Sequence, residues 1–368
     1  MIYDVAIVGG GPAGSACAVV CAAAGMRTVL LEKAIFPREK VCGDCLNPGC
    51  WPILDRLGVS AQIQTLPHAP LHGVEFIGLH GHGLAVPFAG PGRGEIAIKR
   101  SLFDHALMSR AAECGVEVRQ GEAVTTVEPG WSVRTTRGSF RAEVLIAADG
   151  RNSTVARLLG LMPAAARDRV GLQAHVALPD GTGVPDRVTL RILPRGYCGI
   201  APVGAGEMNV CLVSRPRYLE ELKAWAHAEF SLPASHSWRS ITPLSRAPVP
   251  PAHERLMLIG DVARVVEPFT GEGILYALAS AELAAGHVAA GTLPAYAESH
   301  AALYRGRLWI NELARVAVLH PRLGSALLEV ARFAPGLLRM LTARVVGPAA
   351  SPSLTAGPRV SARERASR

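Results

Sequence analysis

Residues 3–32, YDVAIVGGGPAGSACAVVCAAAGMRTVLLE, decide the fold. Residues 3–8 are apolar on both faces and predict a short, buried parallel strand. Residues 15–24 are rich in alanine and predict a helix, and residues 27–31 predict a second strand. This order of strand, glycine-rich turn, helix and strand predicts an α/β unit that binds a dinucleotide.

The turn between the first strand and the helix has the pattern G-x-G-x-x-G. Gly9 allows the tight turn, Gly11 lets the backbone approach a pyrophosphate, and Gly14 lets the helix pack closely on the strand. Glu32 lies 21 residues beyond Gly11, where a carboxylate accepts hydrogen bonds from ribose hydroxyls. The cofactor site predicted here comprises Gly9, Gly11, Ala13, Gly14, Glu32 and Lys33. This unit alone does not distinguish NAD from FAD.

Two later predicted strands end in an aspartate. Residues 143–148 lead into Asp149-Gly150, and residues 255–259 lead into Gly260-Asp261. Open α/β sheets bind ligands at the carboxyl ends of their parallel strands. A carboxylate at Asp261 is suited to ribityl hydroxyls, which a nicotinamide dinucleotide lacks. These two aspartates therefore favour FAD, although each one alone would also suit a helix cap or a turn.

A glycine-containing turn follows the second of these motifs. Gly271 and Gly273 precede a helix predicted from Ile274. The backbone N–H groups of such a turn, with a helix N-terminus, would stabilise the anionic reduced flavin at its pyrimidine edge. Gly271, Gly273 and Ile274 are therefore predicted cofactor contacts.

Together the three segments resemble the GxGxxG, DG and GD fingerprints of a flavoprotein superfamily. This superfamily includes geranylgeranyl reductases and para-hydroxybenzoate hydroxylase-like (group A) monooxygenases, and the resemblance covers about residues 1–305. It implies an FAD-dependent oxidoreductase of α/β class. The implied fold is a Rossmann-like FAD-binding domain of the glutathione reductase type, interleaved with an antiparallel β-sheet substrate domain and followed by C-terminal helices.

The resemblance also implies domain boundaries. The discontinuous FAD-binding domain takes residues 1–70, 95–160 and 245–305, and the substrate domain takes residues 71–94 and 161–244. C-terminal helices occupy residues 306–349, and residues 350–368 are predicted to be a disordered tail because they are mostly Ser, Pro, Ala and Arg.

Two further cofactor contacts follow from the resemblance. Ser101 to Asp104 read as a capping box that opens a helix, and Arg100 precedes it where the family places a flavin-contacting arginine. Residues 116–118 and 123–127 predict short strands. By resemblance, the backbone of Val124 would hydrogen-bond adenine.

Residues 40–48, KVCGDCLNP, resemble the CGG- or CGD-type loop of the geranylgeranyl reductases. There Gly43 would let the backbone approach the isoalloxazine ring. The sequence departs from that pattern at Cys45, where glycine is usual. Cys42, Cys45 and Cys50 could form a redox pair, half of a zinc site, or small residues packed beside the ring. We favour packing and predict no metal, because no second C-x-x-C or nearby paired histidines complete a zinc site.

The substrate domain is predicted from alternating strands. Residues 169–177 and 188–192 alternate like antiparallel strands, and a hairpin joins residues 197–202 to 208–213. The first hairpin strand resembles the GYGW-hydrophobic-P strand of the reductases, with Gly199 in place of Trp. Flavin-dependent halogenases carry two tryptophans in the comparable strand, and their absence disfavours halogenation.

No nucleophile–base pair is recognisable, which suits a reaction centred on a flavin. His175 lies in an alternating strand and favours packing over a role as catalytic base. Tyr197 suits a pocket wall or an ordinary strand position equally. The candidate pocket residues are Cys42, Gly43, Cys45, Tyr197 and Pro268.

The C-terminal segment carries the basic character of the chain. The 368 residues have a formal charge of +8, and residues 301–368 alone contain eleven Arg and three Glu. Residues 1–300 are thus neutral overall, which disfavours nucleic-acid binding. Helices predicted at residues 307–319, 322–333 and 336–346 favour a cap over the substrate domain, with docking on a membrane surface as the alternative. The oligomeric state is not predicted.

Composition favours a soluble, cytoplasmic protein. Apolar residues make up 49% of the chain, yet no long charge-free window predicts a membrane span or a signal peptide. The eight cysteines lack disulfide-like spacing, as expected in a reducing compartment.

Three functions remain open. The first is a reductase that passes hydride from NAD(P)H through FAD to C=C bonds of an apolar, prenyl or polyketide-like substrate. The second is an NAD(P)H- and O2-dependent monooxygenase that hydroxylates or epoxidises an apolar or aromatic compound. The third, least favoured, is a non-catalytic flavin-binding protein. No second G-x-G-x-x-G is present, so NAD(P)H is expected to bind transiently.

Overall fold

The computed structural model describes residues 1–88, 93–166, 169–179 and 183–346, and the predicted tail at 350–368 lies outside them. In chain order the strands are β1 (Ile2–Val8), β2 (Thr28–Glu32), β3 (Cys45–Leu46), β4 (Ala69–Leu71), β5 (Gly73–Ile77), β6 (Gly83–Pro87), β7 (Glu95–Ala97), β8 (Glu117–Gln120), β9 (Val124–Glu128), β10 (Ser132–Thr135), β11 (Ser139–Ala147), β12 (Ala165–Ala166), β13 (Val170–Ala177), β14 (Arg187–Leu193), β15 (Gly196–Gly204), β16 (Glu207–Ser214), β17 (Arg239–Ile241), β18 (Ser245–Arg246), β19 (Ala252–His253) and β20 (Leu256–Leu258). The helices are α1 (Pro12–Ala23), α2 (Trp51–Leu57), α3 (Ser60–Thr65), α4 (Arg100–Glu113), α5 (Thr154–Leu158), α6 (Leu219–Glu229), α7 (Gly273–Ala289), α8 (Tyr296–Leu303), α9 (Leu308–Leu319), α10 (Pro321–Phe333) and α11 (Pro335–Val346).

The first sheet holds the nucleotide-binding unit. Within the described residues it has eight strands, ordered β19-β20-β11-β1-β2-β8, with β10 and β9 attached at β11. Strands β2, β1, β11 and β20 run parallel. Val5 and Ile7 of β1 lie in one apolar core and Ala6 and Val8 in another, so both faces of the strand are buried. The predicted Rossmann-like α/β class is confirmed.

A second sheet stands beside the first. In the described part of the chain its strands are ordered β17-β13-β16-β15-β14-β5-β6. Neighbours are antiparallel except β14 and β5, which are parallel. The predicted hairpin is confirmed. Ala205 and Gly206 both have positive φ, as a two-residue hairpin turn requires.

A small three-stranded sheet, ordered β3-β7-β4, connects distant parts of the chain. It pairs Cys45 with Ala97 and Leu71 with Glu95. Residues far apart in sequence thus meet on one wall beside the second sheet.

The C-terminal helices cover the second sheet. Helix α9 contacts β15, α10 contacts β5 and β14, and α11 contacts β6. This packing agrees with the favoured prediction of a cap. None of the described helices is long and apolar enough to cross a membrane.

The predicted capping box at Ser101 is wrong. Helix α4 begins one residue earlier, at Arg100, and no side chain within the described residues caps it. Asp104, fully buried, accepts two hydrogen bonds from Arg100, at 2.7 and 2.8 Å. The Asp104 carboxylate, which the motif predicted at the helix N-terminus, therefore forms a buried bidentate ion pair with Arg100 instead.

Candidate functional site

The N-terminus of α1 opens onto a cavity. Gly11 is its N-cap residue, and among the described residues no side chain caps the first turn. Gly11, Pro12 and Ala13 are buried and line the cavity. A helix end of this kind offers unpaired N–H donors and the positive end of the helix dipole. It therefore suits an anionic pyrophosphate.

Helix α7 opens onto the same cavity. It begins at Gly273, again without a side-chain cap in the described part of the chain. Its N-cap residue, Glu272, turns away and accepts hydrogen bonds from Arg307 at 3.0 Å and Asn311 at 3.1 Å. Gly271, Gly273 and Ile274 line the cavity, so the predicted flavin turn is placed at its wall.

Cationic side chains line the same cavity. Lys40 and Arg100 line the cavity, and Arg38 joins Arg100 on Asp104 at 3.1 Å. Partial burial, together with the charge of Arg100, lowers the pKa of Lys40 to about 8. A bound anion would relieve the repulsion among these cations. Lys40, which we did not predict as a site residue, is thus suited to a pyrophosphate.

Glu32 shapes the glycine-rich turn. One carboxylate oxygen accepts a hydrogen bond from the Gly10 backbone at 2.6 Å, and the other from the Ala34 backbone at 2.8 Å. Its predicted role at the ribose stays a prediction, and the structure adds that this carboxylate fixes the turn itself.

The two motif aspartates are used differently. Asp261 lines the cavity and pairs with Arg151 at 3.1 Å. Asp149 does not line it; its carboxylate accepts hydrogen bonds from Ser153 Oγ at 2.5 Å and the Thr154 backbone at 2.6 Å. It therefore holds the start of α5, and direct cofactor contact by Asp149 stays a prediction.

The predicted cofactor residues divide into those that line the cavity and those that do not. The cavity lining includes Gly11, Ala13, Arg100, Asp261, Gly271, Gly273 and Ile274. It does not include Gly9, Gly14, Glu32, Lys33, Val124 or Asp149. Lys33 is exposed, Val124 is half-buried at the start of β9, and Gly9 and Gly14 pack beneath the turn.

These features fit FAD. The N-terminus of α1 with Lys40 and Arg100 would hold the pyrophosphate, Asp261 the ribityl hydroxyls, and the α7 turn the flavin. A side-chain atom built at Gly43 would meet nothing within 4 Å, so this loop leaves open space for a planar ring at the cavity wall.

The cavity extends well beyond the cofactor end. It measures about 680 Å³ and continues between the second sheet and the C-terminal helices. Aliphatic and aromatic side chains dominate this extension. They include Val74, Phe76, Val188, Leu190 and Ile192 from the sheet and Ile310, Val318, Leu327, Leu328, Leu338 and Leu341 from the helices.

All five candidate pocket residues line this cavity: Cys42, Gly43, Cys45, Tyr197 and Pro268. Tyr197 is buried and meets Phe269 edge-on, with ring centroids 5.2 Å apart. Gly199 also lines the cavity, so the absence of the family's Trp leaves room there.

The cysteines of the 42–50 loop are free thiols. Cys50 is in the core, and Cys42 and Cys45 pack against apolar clusters. Burial raises the pKa of the Cys45 thiol, which disfavours the thiolate that redox exchange needs. No group of three or more metal-binding side chains occurs in the described ranges. The contacts agree with the packing interpretation.

His175 is packed, as favoured from the sequence, but it has a partner that the sequence did not reveal. Its Nε2 lies 2.7 Å from Oδ2 of Asp44, which is fully buried. Gln173 donates to the same oxygen at 3.3 Å. The pair thereby anchors the loop beside the cavity to β13.

Glu95 is a further residue that sequence reasoning missed. It lies on β7, lines the cavity and is 7% exposed. No local signal marks it, because its burial depends on the pairing of β7 with β3 and β4.

Glu95 makes stability depend on pH. Burial raises the pKa of Glu95 from its ordinary 4.5 to about 7. Between pH 4.5 and about 7 the folded protein holds a proton on Glu95 that the unfolded chain has released. The free energy of unfolding therefore falls as pH rises through this range and reaches its full loss above about pH 7. At 1.36 kcal/mol per pKa unit this loss is about 3 kcal/mol.

Glu95→Gln should therefore raise Tm by about 4 °C at pH 8 and change it little at pH 5. Thermal unfolding at both pH values checks this. An equal shift at pH 5 and pH 8 would contradict the assignment of this titration to Glu95.

FAD retention should separate cofactor residues from packing residues. Asp261→Ala and Glu32→Ala should each weaken FAD binding about tenfold or more, because each removes a charge-assisted hydrogen-bond acceptor. Cys45→Gly should retain FAD largely as the wild type does, because Cys45 packs against Leu71 and Ala97. Fluorescence titration of the apoproteins measures this, and the reverse order would refute our interpretation of the 42–50 loop.

Comparison with known proteins identifies the cofactor. The FAD binding domain family matches residues 2–181. The menaquinone reductase of Mycolicibacterium smegmatis is 31% identical over 327 residues, which cover 80% of this chain and 78% of that protein.

Two solved structures share the fold. One is a geranylgeranyl bacteriochlorophyll reductase-like protein of Thermoplasma acidophilum, with a TM-score of 0.71 and 26% identity, covering 87% of this chain and 88% of that one. The other is a flavin-dependent brominase, with a TM-score of 0.76 and 22% identity, covering 93% and 94%. The second likeness shows the fold alone.

Proposed function

The chain belongs to the superfamily of FAD-dependent oxidoreductases that contains the geranylgeranyl reductases and the group A flavin monooxygenases, and from this premise we propose that it reduces C=C bonds of an apolar, prenyl-like substrate. FAD is its cofactor. Bound FAD would supply the transfer of a hydride, taken from NAD(P)H, to one carbon of the C=C bond, and a proton from solvent would complete the reduction at the other carbon.

The observation that carries this proposal is the continuity of one cavity. The cofactor end and the apolar extension form one space, lined by Lys40 and Arg100 at one end and by residues of α10 and α11 at the other. An extended hydrocarbon fits such a lining, because each buried CH2 group contributes about 0.8 kcal/mol. The relatives named for menaquinone and geranylgeranyl groups support the same class, since both carry isoprenoid chains.

The chain's own residues position and enclose the substrate. Val188, Leu190 and Ile192 of β14 form one wall, and Leu327 and Leu328 of α10 form the opposite one. Together they give the substrate an apolar environment on both sides, although Leu327 is 45% exposed and the helix side of the cavity is therefore open to solvent in part.

Product analysis tests the proposal. The holoprotein is reduced with NADPH under argon and incubated with geranylgeranyl compounds, and the products are analysed by mass spectrometry. A gain of two hydrogens is expected. If labelled oxygen from 18O2 enters the product instead, and nothing is reduced without O2, the protein is a monooxygenase.

We also propose that the outer surface of α10 and α11 contacts an anionic membrane, from which the apolar substrate would enter. Phe333 is 91% exposed, and Leu323 and Met340 are exposed as well; none of the three lines the cavity. Arg322, Arg332, Arg339 and Arg344 lie on the same two helices. Exposed apolar residues flanked by arginine are typical of helices that bind anionic lipid.

Vesicle co-sedimentation tests this contact. Phe333→Asp should weaken binding to vesicles containing phosphatidylglycerol about tenfold, because a phenyl group buried in lipid is lost. Ile35→Asp is the matched control, since Ile35 is 70% exposed elsewhere and should not matter. Equal binding of all three proteins, or none by the wild type, would refute the contact.

A further inference from the structure

Glu95 is a buried carboxyl group in the apolar part of the cavity. It lies at the start of β7, opposite Leu71 of β4, and its backbone neighbour Gly94 accepts a hydrogen bond from the Trp51 indole at 2.8 Å. Val74, Phe88 and Ala201 line the same cavity. The backbone around Glu95 is therefore held in place, and its side chain faces an apolar space.

Within the described residues the carboxyl group makes no hydrogen bond or ion pair, although Glu95 is more than nine-tenths buried. Burying such a group without a partner is unfavourable, and it is a common sign of a ligand-binding role. Its raised pKa, about 7, has burial as its cause and no charged partner. The group thus has unused hydrogen-bonding capacity directed at whatever fills the cavity.

We propose that Glu95 binds an uncharged hydroxyl or phenol group at the polar end of the apolar substrate and excludes substrates that end in phosphate. The proposal rests on the apolar substrate class proposed above and adds its end group. A carboxylate accepts a hydrogen bond from a hydroxyl, and a carboxyl group can also donate one. A phosphate brought to the same place would meet a like charge in a low-dielectric environment.

The groups around Glu95 do not compensate its charge. Cys45 of β3 and Cys50 are the titratable neighbours from the packed elements, and burial raises the pKa of both thiols. On its own segment, Arg93 pairs with Asp55. Above pH 7 the carboxylate therefore keeps its charge inside the cavity.

Equilibrium dialysis of the oxidised holoprotein tests the proposal, using radiolabelled geranylgeraniol and geranylgeranyl diphosphate. At pH 8 the wild type should bind the alcohol at least about tenfold more tightly than the diphosphate. Glu95→Leu should bind the alcohol about tenfold more weakly than the wild type, and Glu95→Gln should stay within a fewfold, because its amide can still hydrogen-bond.

The diphosphate provides a readout that a purely structural role would not change. The affinity of the wild type for the diphosphate should fall between pH 6 and pH 8, and it should fall more than that of Glu95→Gln. The variant lacks the charge of Glu95, so only the ionisation of the diphosphate itself changes its affinity over this range. Val74→Ala is the matched control at the same cavity wall. It should lower the affinity for both ligands equally and preserve the ratio of the two affinities.

The proposal is overturned if the wild type binds the diphosphate as tightly as the alcohol, or if Glu95→Leu leaves both affinities unchanged. It is also overturned if neither ligand binds. Because dialysis involves no turnover, the expected binding pattern without C=C reduction would refute only the proposed reaction. Reduction without dependence on Glu95 would refute only the end-group assignment.

Discussion

Gly14→Ala is expected to weaken FAD binding strongly. A Cβ atom at Gly14 would lie 1.8 Å from the Gly9 carbonyl oxygen and 3.1 Å from Cβ of Ala148. Gly9 directly follows β1 and Ala148 directly follows β11, and their backbone N–H groups donate hydrogen bonds to the carbonyls of Leu31 and Val8 at 2.8 Å. Helix α1 would therefore have to move away from β1. That movement displaces the helix N-terminus that would hold the pyrophosphate. We expect FAD affinity to fall about 100-fold, or by about 2.7 kcal/mol.

Gly183→Ala is the matched control for this variant. The same substitution there meets nothing within 4 Å, so FAD affinity should not change. Fluorescence titration gives the affinities, and far-UV circular dichroism shows whether Gly14→Ala remains folded. Wild-type affinity in a folded Gly14→Ala protein would mean that the α1 turn does not hold the cofactor.

Glu267→Gln is expected to cause a large loss of stability. Glu267 accepts two hydrogen bonds from Arg169, at 3.0 and 2.9 Å, and both side chains are only 3% exposed. Removing one charge of a buried pair costs about 3–5 kcal/mol, because the other charge stays buried. For a protein of this length that corresponds to a fall in Tm of about 4–6 °C.

Glu267→Gln should also disturb the turn at Gly271 and Gly273 that is predicted to contact the flavin. Glu267 directly precedes Pro268 in this segment, and its backbone N–H donates a hydrogen bond to Asn311 at 2.9 Å. Glu143→Gln is the control, since it removes an exposed pair with Arg255 at 2.9 Å. Exposed pairs contribute at most about 1 kcal/mol. Equal Tm shifts in the two variants would show that the buried pair contributes no more to stability than the exposed one.

The nucleotide-binding unit was predictable because its signals are local. The strand at residues 3–8, the glycine-rich turn and the α1 helix each depend on neighbouring residues, and the turn chemistry requires glycine. The hairpin before Met208 was predictable for the same reason. Motif order then identified FAD where a single motif could not.

The errors and omissions arise from contacts between distant residues. Asp104 resembled part of a capping box because that motif is recognised over four neighbouring residues. In the structure its carboxylate pairs with Arg100 and also with Arg38, which is 66 positions away. Glu95 and the Asp44–His175 pair become visible only when β7 meets β3 and the loop meets β13. Periodicity carries no information about such pairings.

The central claim is that reducing equivalents pass from bound FAD to a C=C bond inside the apolar cavity. The most direct measurement is anaerobic single-turnover absorbance of the NADPH-reduced holoprotein mixed with a geranylgeranyl compound. We predict that the visible absorbance of oxidised flavin returns without O2, and only with substrates that contain C=C bonds. Absorbance that stays bleached with every prenyl compound and returns only on admission of O2 would contradict the claim.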